Sequence, residues 1–247
     1  MSKISTTINS FFYTRKSFQY IKVNPWIWKY LIIPFIINLI LSISLLIFLF
    51  NFIQSMLLGL SFLSAIPGFF TGFISILVFL ITFIITVYLF FLLANIIAAP
   101  FNGFFTDKML SNAGIVSENK ANLVNLVIRE ISRAIKFEIL KLFLVIVLFF
   151  TGLVISLIPA IGFLMAGLLS FVGNTYLSLV DYFDPGLSYI GVNISGRFKY
   201  VKNIVKDSWG FFIISGFVMY IPILNILYIP FAVITANLLL IEKNKSK

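Results

Sequence analysis

Cysteine and histidine are both missing from this 247-residue chain, and acids are scarce, with 8 Asp and Glu against 18 Lys and Arg. Without cysteine there are no disulfides and no thiolate metal sites. Without histidine the commonest general base and the commonest metal ligand are also gone. A phosphate loop of the Walker type is absent, which argues against ATP hydrolysis by the chain. Charge itself is missing from three long stretches. Residues 30–106, 142–180 and 208–241, which are 77, 39 and 34 residues long, contain no Lys, Arg, Asp or Glu.

What fills those stretches is apolar. Hydrophobic residues make up 61% of the chain and the mean hydropathy is +1.10. Uncharged apolar runs well beyond about 20 residues are the signature of membrane segments. The expectation is an all-α integral membrane protein forming one membrane domain over residues 1–247. Its parts are an N-terminal interfacial segment (1–29), a spanning hairpin (30–106), a basic segment with an interfacial helix (107–141), a second hairpin (142–180), a basic interfacial helix (181–207), a short hairpin (208–241) and a basic tail (242–247). No cleavable signal peptide is expected, because the first 29 residues are too polar and the following apolar run too long.

Each uncharged block reads as two helical arms around a neutral turn. In the first, the arms are Tyr30–Leu58 and Phe69–Phe101, with the turn at Gly59–Gly68. At about 1.5 Å per residue these arms exceed the roughly 30 Å hydrocarbon core. The second block has arms near 137–157 and 163–181 about the turn Ile158–Gly162, borderline for crossing. The third has arms of about 13 and 18 residues about Tyr220-Ile221-Pro222, the first too short to cross. That block fits a hairpin that dips in and returns.

Basic residues occur only outside the blocks: five in 1–29, six in 107–141, four in 181–207 and three in 242–247. The bias toward one side places both termini in the cytoplasm of a multi-pass inner-membrane protein. The same charge suits anionic lipids as partners rather than nucleic acid. Segments 119–139 and 189–207 carry amphipathic helical patterns. Val124, Val127, Ile128, Ile131, Ile135 and Ile139 oppose Arg129, Arg133 and Lys136; Phe198, Val201 and Val205 oppose Lys199, Lys202 and Lys206. Both read as interfacial helices with basic faces toward headgroups and water.

No constellation of residues supports catalysis, a cofactor or a metal. The arms hold amides instead: Asn38, Asn95, Asn225 and Asn237. Asn38 and Asn95 lie at matching depths and could meet. Two readings stay open for them, interhelical hydrogen bonding and the lining of a polar path. Two are also open for Asn24-Pro25-Trp26-Ile27-Trp28-Lys29-Tyr30. Pro25 opens a helix whose positive end and free amides, beside Lys29, make the elements of an anion site. The same aromatics and lysine would equally form an interfacial belt.

Residues Ala94–Gly103, reading ANIIAAPFNG, closely resemble the signature of the CysZ-type sulfate permeases and their wider etoposide-induced membrane-protein family. Pro34–Asn38, Asp181-Tyr182 and Ile221–Asn225 with Pro230 fit the same family in the same order. The resemblance implies two long transmembrane helices plus two helical hairpins that enter the membrane only partly. It further implies an oligomer that takes up sulfate or a related oxyanion for assimilation into cysteine. Its anion site corresponds to Pro25, Trp26, Ile27, Trp28 and Lys29, with Asn38, Asn95, Asn102 and Asn225 shaping the path. Pro25 and Lys29 match the family pattern, whereas Trp26 replaces a Gly and Trp28 an Arg. A non-transporting scaffold or lipid-interacting protein of the same fold is the alternative.

Overall fold

In a computed structural model, which describes residues 3–59, 68–115 and 123–245, every regular element is helical among the described residues. The order is α1 (Lys3–Val23), a 3-10 turn (Pro25–Ile27), α2 (Trp28–Gly59), α3 (Gly68–Asn112), α4 (Leu123–Ser156), α5 (Gly162–Tyr189), α6 (Ile194–Asp207), α7 (Trp209–Met219) and α8 (Pro222–Lys245). Among the described residues, three stretches are long and apolar enough to cross a membrane: Pro25–Ile53, Val124–Ser156 and Gly162–Tyr189. Gly72–Ile84 and Trp209–Met219 are shorter apolar helical stretches. Most of the neutral turn expected at Gly59–Gly68 lies outside the described residues.

The chain divides into two compact units, Met1–Leu31 with Ala99–Lys247, and Ile32–Ala98. In the unit Ile32–Ala98, large apolar side chains point outward all along α2 and α3, among them Ile36, Ile40, Ile47, Phe73, Phe79 and Ile84. Water would penalise that surface heavily, and lipid does not. An exposed hydroxyl bonds within its own helix: Ser55 donates to the Asn51 carbonyl at 2.9 Å.

The larger unit is built around α5, which packs against α4, α6, α7 and α8, while α1 lies on α7 and α8. Its apolar centre includes Phe105, Met109, Leu110, Phe183, Phe211, Ile234 and Leu240, all fully or nearly fully buried. Ala232 and Ala236 are also buried at a four-residue spacing, which lets α8 approach its neighbours closely. Ser17 of α1 and Thr235 of α8 share a hydrogen bond of 2.5 Å across the helix contact.

Helix ends follow local chemistry. α5 stops where Gly191 adopts φ 75°, and the amide of Val192 donates back to the Leu187 carbonyl at 2.9 Å. α6 starts where the Asn193 side chain accepts from the Gly196 amide at 2.8 Å. The turn between α4 and α5 is less comfortable, because Ala160 sits at φ 64°. That region disfavours any residue with a Cβ by about 1–2 kcal/mol. Ala160→Gly should therefore raise the thermal unfolding midpoint in detergent, and an unchanged or lower midpoint would contradict strain at this turn.

Two segments read separately from the sequence are one element. The amphipathic stretch within 119–139 and the arm 137–157 join into α4, a single 34-residue helix. α4 turns part of its basic stripe inward rather than toward water, while Lys136 stays exposed. Ile128 and Ile139 are 60% and 65% exposed, whereas Arg133 turns into the bundle. The reason is the set of carboxylates waiting there.

Candidate functional site

Because α4 is continuous, acids lie within the long helices and not merely between them. Glu130, Glu138 and Asp184 are 2%, 6% and 1% exposed. A carboxylate at such burial persists only when paired and hydrogen-bonded. Asp184 of α5 takes one guanidinium on each oxygen, Arg197 of α6 on Oδ1 and Arg133 of α4 on Oδ2. Arg133 also reaches Glu130 Oε2 through Nη2 at 2.6 Å and through Nε at 2.9 Å. Glu130 Oε1 takes Arg129 at 3.1 Å, and Arg129 lies 3.9 Å from Asp107 of α3. The chain of contacts thus joins four helices with three acids and three arginines. A second, smaller group is Lys141 donating to Glu138 at 2.5 Å and to Asp181 at 3.1 Å.

Arg197 gives a further bond to the Val192 carbonyl at 2.8 Å. Burial pulls its pKa below the ordinary arginine value, with the Glu130 carboxylate opposing the shift. Arginine starts so high that it remains charged.

The signature segment touches this network. Gly103, within AAPFNG on α3, is buried. A Cβ built there would lie 2.7 Å from Glu130 Cγ and 2.9 Å from its Cδ. Glycine therefore lets Glu130 lie flat on α3 while it holds its arginines. Gly186 on α5 does the same for Asn237 of α8, whose Oδ1 would be 2.5 Å from a Cβ. Asn237 donates to Thr106 Oγ1 at 2.8 Å.

A cavity of about 290 Å³ opens beside the network between α4, α6 and the end of α5. Four cations line it, Arg129, Arg133, Lys136 and Arg197, with the hydroxyls of Ser132 and Ser188. Phe137 and Ile194 form its apolar wall. No carboxylate is among the lining residues within the described part of the chain.

The residues marked out by sequence occupy other places. Pro25, Trp26 and Ile27 form the 3-10 turn, and α2 starts at Trp28. The amide of Ile27 donates to the Asn24 carbonyl at 3.1 Å, and that of Trp28 to the Pro25 carbonyl. Ile27 is fully buried, while Trp28 and Lys29 are exposed. Lys108 of α3 stands over the Trp26 ring at 4.3 Å, and Lys29 lies 5.0 Å from the Tyr30 ring centre. Asn38 donates to the carbonyl of Ala94, the residue before Asn95, at 3.4 Å. Asn102 is half-buried on α3. Asn225, on α8, keeps a buried Oδ1 without a hydrogen bond among the described residues. The charged network was missed by the sequence reading, although Glu130-x-x-Arg133 and Glu138-x-x-Lys141 were visible as helical pairs.

The family model described as sulfate transporter CysZ/etoposide-induced protein 2.4 matches residues 13–230. A protein named sulfate transporter CysZ from Vibrio atlanticus is 28% identical over 234 residues, which cover 92% of this chain and 90% of the relative. Proteins of the same name from Vibrio cholerae and Vibrio parahaemolyticus are 25% and 24% identical, over 91% and 90% of this chain and 90% of each relative.

Proposed function

The chain belongs to the sulfate transporter CysZ/etoposide-induced protein 2.4 family, and on that premise we propose that it is a permease for sulfate or a related oxyanion in the bacterial inner membrane. The observation that carries the reading is the match over residues 13–230, which takes in the 24–30 segment and α2 to α7 whole. Supply of sulfate for cysteine synthesis is the role this implies. α2 and α3 cross the membrane fully, the α4–α5 and α7–α8 hairpins enter it partly, both termini face the cytoplasm, and the protein acts as a homo-oligomer.

In this reading the anion is first held at Pro25, Trp26, Ile27, Trp28 and Lys29. The Ile27 and Trp28 amides are engaged inside the turn, so the Lys29 ammonium supplies most of the attraction. Asn38, Asn95, Asn102 and Asn225 shape the path beyond it. Three features support passage without proton coupling along the first hairpin: it has no acid, no base and several amides.

Purified protein in liposomes should take up labelled sulfate saturably, with selenate, thiosulfate and phosphate as competitors. Lys29→Ala should lower uptake at limiting sulfate about tenfold, the worth of one charge-assisted hydrogen bond. Intact uptake in that variant would remove Lys29 from the site. Absence of uptake by the unaltered protein would favour the non-transporting, lipid-interacting alternative, to which the Trp26 and Trp28 replacements lend weight.

A further inference from the structure

The cation-lined cavity has no part in that permease reading, and its position on α4 points to another ligand. Successive residues on a helix turn by about 100°. Ser132 and Lys136 on the cavity rim therefore stand directly beside the exposed stripe of Ile128, Ile135 and Ile139. Ile194, part of the cavity wall, is exposed as well. A ligand that fits both surfaces has an anionic head and an apolar body. A free inorganic anion would use the head site alone.

The charges of the cavity fit the same ligand. Asp107, Glu130 and Asp184 balance Arg129, Arg133 and Arg197, three against three. Lys136 is then in surplus, exposed and in no ion pair among the described residues. It can serve an incoming phosphate without robbing a buried carboxylate. Ser132 and Ser188 add hydroxyl donors of the kind that complete an oxyanion's shell.

We propose that this cavity holds the phosphate headgroup of an anionic phospholipid, with Lys136 as its principal contact and the acyl chains along Ile128, Ile135 and Ile139. The proposal goes beyond the permease reading and is tested without measuring flux, so the two can fail separately.

The test is native mass spectrometry of the intact chain in mild detergent, with phosphatidylglycerol or phosphatidylcholine added. Phosphatidylglycerol should be retained in preference to phosphatidylcholine. Lys136→Ala should weaken its retention about tenfold, as expected for a lost charge-assisted hydrogen bond. Lys202→Ala, which removes an exposed lysine of α6 outside the cavity, should leave retention unchanged. Ile139→Ser, with every cation kept, should weaken retention too. Equal losses from Lys136→Ala and Lys202→Ala would mean diffuse attraction and overturn the site. Displacement of the lipid by millimolar sulfate or phosphate, with Ile139→Ser having no effect, would mean a free-anion pocket and overturn the lipid assignment.

Discussion

Asp184→Asn should destabilise the protein by about 3–5 kcal/mol, the usual cost of removing one partner from a buried ion pair. The carboxylate is 1% exposed and receives a guanidinium on each oxygen. Asparagine fills the same space, so almost nothing of packing is lost. What changes is charge: Arg133 and Arg197 are left facing one another across a neutral amide. Arg133 keeps Glu130 as a charged partner, while Arg197 keeps the Val192 carbonyl and no carboxylate among the described residues. The measurement is denaturant unfolding in detergent. A double change, Asp184→Leu with Arg197→Leu, should be less harmful than Asp184→Leu alone, because it removes the stranded charge together with its partner. If Asp184→Asn unfolds at the parent's midpoint, water reaches the network and the site is not desolvated.

Gly103→Ala is the second change with a large effect, although it adds one methyl group. That methyl meets Glu130 Cγ and Cδ at 2.7 and 2.9 Å. Glu130 cannot swing away cheaply, since both of its oxygens hold arginines. Overpacking of this kind costs about 1–3 kcal/mol, and displacement of Glu130 loosens Arg129 and Arg133 as well. Gly72 on the same helix is the control. A Cβ there meets nothing within 4 Å. Gly72→Ala should be neutral or stabilising by about 0.5–1 kcal/mol, because alanine is the better helix former. Equal midpoints for the two variants in a thermal melt would show that close approach at Gly103 does not matter.

The helices were largely legible in the sequence because lipid imposes a blunt rule. An apolar run without charge must be helical, so α2, α3 and the turn after Ser156 follow from composition alone. The orientation of α4 did not follow. Its isoleucine stripe showed that two faces differ, but periodicity does not say which solvent each face meets. In water the isoleucines would turn inward; in lipid they turn outward and the arginines seek partners inside. The partner of Arg133 there, Asp184, lies 51 residues further along the chain, and Arg197, which pairs with the same carboxylate, further still. Distance along the sequence hid the pairing. The amides show the same limit. Asn38 could be placed at the depth of Asn95, yet it bonds to the backbone of Ala94, a choice set by the exact crossing of two helices. The 24–30 segment was legible as a helix start beside a lysine, whereas the engagement of the Ile27 and Trp28 amides depends on the tighter 3-10 geometry.

The spread of the charged network along the chain has a consequence for biogenesis. Asp107 and Arg197 are about 90 residues apart, which at roughly 5–20 residues per second of synthesis separates their appearance by roughly 5–18 s. Late in that interval α4 exists without Asp184, the acceptor that another helix gives Arg133, and without the third guanidinium. Its N-terminal end must wait at the membrane surface, with its charges in headgroups and water. Only the arrival of α5 and α6 lets the arginines leave that surface. Docking of this end of α4 is therefore a late, concerted event during insertion, and a chain stalled before α6 should remain open to protease at Arg129 and Arg133.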